Sequence, residues 1–102
     1  MKLLIITAVE EFGPEVKKQL KLNGVQTYSY REVTGFRDST MDAVETNWFA
    51  TEMNETASLL FFAFVSEAQA ESLLVELNRF NLTCEVHSKI HASIVPIEKT
   101  TN

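Results

Sequence analysis

A single cysteine, Cys84, stands in 102 residues, which rules out an internal disulfide framework and fits a reducing compartment. Long apolar runs are missing as well. The longest, LLII and SLLFFAFV, fall far short of the ~20 residues that cross a bilayer, so direct membrane insertion is not expected. Lys2 and the four apolar residues after it lack the length and cleavage site of a secretory signal. Basic residues are scarce, nine against fourteen acids, for a net charge of -5. That balance argues against nucleic acid and against a polybasic membrane patch. Glycine and proline are few, and neither a repeat of fixed period nor a low-complexity tract is visible. The expectation is one cytoplasmic domain over residues 1–102, in which the sequons at Asn54 and Asn81 carry no glycan.

What the sequence does have is an ordered succession of elements. KLLIITAV (2–9) is a nearly continuous apolar run and reads as a buried strand. Pro14 suits the first turn of a helix. Val16 and Leu20 mark its apolar stripe, Lys17, Lys18 and Lys21 fall among its polar positions, and Gly24 stops it. VQTYSYREV (25–33) alternates as a half-buried or edge strand that Gly35 and Phe36 end. Residues 37–57 are polar and acidic, and a connection this long is as a rule functional or disordered. SLLFFAFV follows as the most apolar strand. Ser66 with Gln69 three residues on is a capping box. It opens a helix with the stripe Ala70, Leu73, Leu74, Leu77 and Phe80, closed by Asn81 in the left-handed conformation. TCEVHSKIHASIVPI (83–97) reads as a last, bent strand, with Pro96 at an end or edge.

Strand, helix, strand, strand, helix, strand is the α+β, ferredoxin-like βαββαβ order, with a four-stranded antiparallel sheet and a long loop after the second strand. Its two central strands are the first and third, the two most apolar here. Two helices cover one face of such a sheet. In the third strand Leu59, Phe61, Ala63 and Val65 take one face and Leu60, Phe62 and Phe64 the other. Leaving the second set wet forgoes roughly 1.5–3 kcal/mol per large side chain, so the pattern predicts self-association, sheet against sheet, in a closed oligomer.

Four stretches, taken in order, resemble the PII signalling superfamily: MKLLIITAV, REVTGF, the long loop, and SKIHASIVPIEK. Standard members carry a strand ending near SEVKGF and, later, GDGKIFVLPVE. The likeness runs over residues 1–99 and implies a homotrimer that binds adenine nucleotides in clefts between subunits. Its long loops dock onto a protein partner such as a membrane transporter or efflux component. Gly35 and Phe36 match the strand end beside the nucleotide, Lys89 the phosphate-facing lysine of GDGK, Ile90 the residue after it and Pro96 the proline of PVE. Val86, His87 and Ser88 replace GDG, which removes the backbone N–H cradle that phosphates favour. The loop lacks a tyrosine, and the family's arginine-bearing terminal segment has no counterpart. With these departures the chain resembles the divergent members of the PII-like group.

The candidate residues fall into three sets. Gly35, Phe36 and Lys89, with Arg37 and Arg31 in reach, are the candidate ligand-binding residues for a phosphate or carboxylate. Cys84, His87 and His91 are the candidate metal ligands, with donors suited to zinc or copper. On one regular strand His87 and His91 would lie roughly 13 Å apart, so a shared ion needs a bend or neighbouring subunits. Trp48 and Phe49 are candidate partner-binding anchors. Asp38, Asp42, Glu45, Glu52 and Glu55 read mainly as a solvated acidic surface.

No nucleophile–base–orienter set is readable, so a non-enzymatic regulator is expected. It senses an adenine nucleotide or another anion at the subunit cleft and signals through residues 37–57. The competing reading is a trimeric metal-binding protein similar to the CutA family, linked to heavy-metal tolerance or efflux. A small ferredoxin-like enzyme using His87 or His91 is the third.

Overall fold

In the computed structural model, which describes residues 1–36 and 55–101, the chain forms β1 (Lys2–Val9), a 3-10 turn (Glu10–Phe12) and α1 (Gly13–Leu22). There follow β2 (Ser29–Phe36), β3 (Glu55–Val65), α2 (Glu67–Thr83) and β4 (His91–Pro96). The sheet runs β2-β3-β1-β4 with every neighbouring pair antiparallel. This is the ferredoxin-like split βαβ arrangement, with the two most apolar strands in the middle. Arg37, Trp48 and Phe49, and most of the long loop, lie outside the described residues. Residues 55–57, expected in that loop, instead extend β3 and pair with the end of β2, Thr34↔Ala57 through Phe36↔Glu55.

Period-two alternation decides what β3 buries. Phe61 is 1% exposed and packs with Leu4, Ile6 and Val65 beneath Val16 and Leu20 of α1 and Ala70, Leu73 and Leu77 of α2. Its neighbours Phe62 and Phe64 face away from both helices and are 41% and 60% exposed. Strand pairing puts Leu3 and Ile5 of β1 and Val95 of β4 on that same outward face, through Leu3↔Phe64, Ile5↔Phe62 and Leu3↔Val95.

The start of α2 and the end of α1 have identifiable causes. At the start of α2 the Ser66 hydroxyl accepts from the Gln69 backbone N–H, and the Gln69 side chain accepts from the Ser66 N–H, the expected reciprocal capping box. Gly24 ends α1 at φ +77, the left-handed region. Val25 N–H donates to the Leu20 carbonyl at 2.9 Å and Gly24 N–H to that of Lys21 at 3.1 Å, the paired bonds of a Schellman motif. Val25 is consequently buried as part of the helix exit. For this reason β2 begins at Ser29, four residues later than the alternation of 25–33 suggested. Gly13 meets a different need: a Cβ there would stand 2.7 Å from Leu59 Cδ1, so its bareness lets α1 start tight against β3.

The Asn81 expectation is corrected. Among the described residues no non-glycine has a positive φ, and α2 continues to Thr83. The last strand is also shorter than 83–97. The final β1 partner for β4 is Thr7, opposite His91, and beyond it β1 turns into the 3-10 segment. Residues 84–90 therefore lie outside the described sheet, since β1 has only Ala8 and Val9 left beyond Thr7. Among the described residues no helix is long and apolar enough to cross a membrane.

Candidate functional site

β1 and β2 each run antiparallel to β3, so they end together, at Val9 and Phe36. β3 and β4 begin at that same end, at Glu55 and His91, and the 84–90 segment crosses over it. Topology alone thus gathers the ligand and histidine candidates at one end of the sheet. Gly35 is buried and pairs with Thr56, while Phe36 beside it is 65% exposed.

Asn81 holds the 84–90 segment in place. Its Nδ2 donates to the Ile90 carbonyl at 2.8 Å, and its Oδ1 accepts the Ile90 backbone N–H at 2.8 Å. The side-chain amide therefore does for Ile90 what a neighbouring strand would do, and it satisfies backbone groups beside a buried side chain. Lys89 is exposed and its Nζ donates to the Asn81 carbonyl at 3.0 Å, near the C-terminal end of α2, where a cation is electrostatically favoured.

Between this segment and the 3-10 turn lies a cavity of about 490 Å³ lined by Val9, Glu11, Phe12, Glu85, Val86, His87 and Ser88. Phe12 is fixed by an edge-to-face contact with Phe80, ring centres 5.3 Å apart. On the other side of the turn a second cavity of about 420 Å³ is lined by Glu10, Glu32, Val33, Thr34, Ala57 and Ser58. Lys89 lines neither cavity.

The metal candidates are dispersed. His91 lies on β4, opposite Thr7 and on the outward face, whereas Cys84 and His87 belong to the segment beyond the sheet, Cys84 as a half-buried thiol. The strand-based separation of the two histidines consequently does not apply. Among the described residues no three His, Cys, Asp or Glu side chains come together to hold an ion. Sequence reasoning passed over Glu10, Glu11 and Glu85, and gave Asn81 a helix-closing role instead of its bonds to Ile90. The adjacent pair Glu10–Glu11, directly after a buried strand, was the available signal.

No family model matches the chain, and no curated protein sequence matches it. Solved structures do. CPII, a nitrogen regulatory PII-like protein from Thiomonas intermedia K12 bound to ADP, AMP and bicarbonate, is 15% identical with a TM-score of 0.63. The match covers 97% of this chain and 93% of that one. A DUF3240 family protein from Shewanella baltica OS155 is 18% identical with a TM-score of 0.66, covering 99% and 93%. The chain therefore shares the ferredoxin-like fold of these two proteins, one of them PII-like, as the motif order suggested.

Proposed function

We propose that the chain is a PII-like, non-enzymatic regulator that works as a homotrimer and binds a small ligand in the cleft at the 84–90 end of the sheet. The observation that carries this reading is the outward sheet face. Phe62, Phe64 and Val95 are exposed beside half-buried Leu3 and Ile5, and copies of the same chain cover such a face at least cost.

The ligand is an adenine nucleotide or another small anion, in keeping with the nucleotides and bicarbonate bound by CPII. Glu11 and Glu85 line the cavity, and like charges repel a polyphosphate, so the reading favours AMP or bicarbonate over ATP. Gly35 and Phe36 flank the ligand. Lys89 releases the Asn81 carbonyl to meet it, and Arg37 adds a second cation. Occupancy shifts the population of loop states in residues 37–54, where Trp48 and Phe49 anchor a partner protein such as a membrane transporter.

Light scattering joined to calorimetric titration tests this. A particle of three chain masses that binds AMP, with affinity falling in Lys89→Ala, is the expected result. A single-chain particle, or absence of heat with AMP, ADP, ATP and bicarbonate alike, overturns it.

A further inference from the structure

Half of the chain's lysines stand on one short helix. Lys17, Lys18 and Lys21 of α1, with Gly24, Gln26 and Tyr28 on the chain leaving it, wall a groove of about 680 Å³. The groove follows α1 from Pro14, in its first turn, to Gly24 beyond its end, and shares no lining residue with the cavities beside the 3-10 turn. Like charges three and four residues apart destabilise a helix, and here they are concentrated in a chain of net charge -5.

No described acid is ion-paired with the cluster. Among the described residues the ion pair is Arg79–Glu76 on α2, and the Glu15 carboxylate accepts instead from Gln19 at 2.8 Å. Lys17 is aimed: its Nζ lies 4.4 Å from the centre of the Tyr30 ring and donates to the Tyr30 hydroxyl at 3.2 Å. The opposite wall is held too. The Gly24 carbonyl accepts from Gln69 Nε2 at 3.0 Å, and Ser72 donates to the Asn23 side chain. The groove is thus formed before any ligand arrives, which lowers the ordering cost of binding.

We propose that this groove binds a small polyvalent anion, one bearing two or more phosphate or carboxylate groups. A single exposed charge pair contributes little in water, so recognition here depends on spanning several ammonium groups at once. The Tyr28 ring and the Gln26 side chain supply the remaining contacts.

Inorganic tripolyphosphate and citrate, titrated separately into isotope-labelled protein at low salt, test the assignment and separate the two chemistries. Either one shifting the amide signals of Gly24, Gln26 and Tyr28, with affinity about tenfold weaker in the K18Q/K21Q variant, supports the groove. A response to tripolyphosphate alone assigns a phosphate ligand, and a response to citrate alone a carboxylate. Shifts spread equally over Lys2, Lys89 and Lys99, unchanged affinity in the double variant, or silence with both anions overturns it. Lys18 and Lys21 are exposed, so their replacement leaves folding intact, as far-ultraviolet dichroism of the variant will verify.

Discussion

Phe61 and Phe62 are consecutive residues of one strand, yet the first is 1% exposed and the second 41%. The inward residue has two helices, the core aliphatics and the Tyr30 ring stacked at 5.3 Å around it. Among the described residues the outward one has Leu3, Ile5 and its strand neighbours beside it and no helix over it. Alternation explains why the two point apart. It does not explain why both are phenylalanine. A strand built for one wet face would place a polar residue at the second position, so the difference between the faces measures what the described residues leave uncovered.

The sharpest way to break the comparison is Phe61→Ala. Losing that ring from the closed face should lower the unfolding free energy by about 3–5 kcal/mol. Denaturant titration should show the loss at every protein concentration. Phe64→Asp attacks the open face instead. It should leave one chain's fold intact while removing roughly 1.5–3 kcal/mol of burial per chain from the assembly. Light scattering would then register single chains where the proposed trimer gives three, and an unchanged particle mass would sink the covered-face reading. Val95→Ser, at the edge strand of the same face, should have the smallest effect, about 1 kcal/mol per chain. Its melting temperature should approach the parent's on dilution, because both then report an uncovered face.

How much of this was legible in the residues depended on how local the cause was. The bounds of β1, the capping box at Ser66 and Gln69 and the glycine stop at Gly24 are written within a few positions of one another, and each is found where the pattern put it. Val25 was misread because a buried residue in the exit turn of a helix and the first residue of a strand look alike in an alternating pattern. Asn81 was misread for a related reason. Its chemistry suits a left-handed cap, but two unsatisfied backbone groups nine positions onward offered its side chain a better use. The candidate cavity was least legible of all. Glu11 and Glu85 come from turns far apart in sequence, and only the sheet topology brings them together. The end of the sheet that holds them could still be anticipated, since the strand order by itself places Gly35, Phe36, His87, Lys89 and His91 there.

The placement of the aromatic hydroxyls has a spectroscopic consequence. The chain has two tyrosines, one lining the lysine groove and the other bonded to Lys17. Tyrosine ultraviolet absorption and emission therefore originate wholly from that corner of the molecule. An anion entering the groove would change the polarity at Tyr28 and the hydrogen bond at Tyr30. A difference spectrum of unlabelled protein would then report its arrival without a dye, a tag or a mutation.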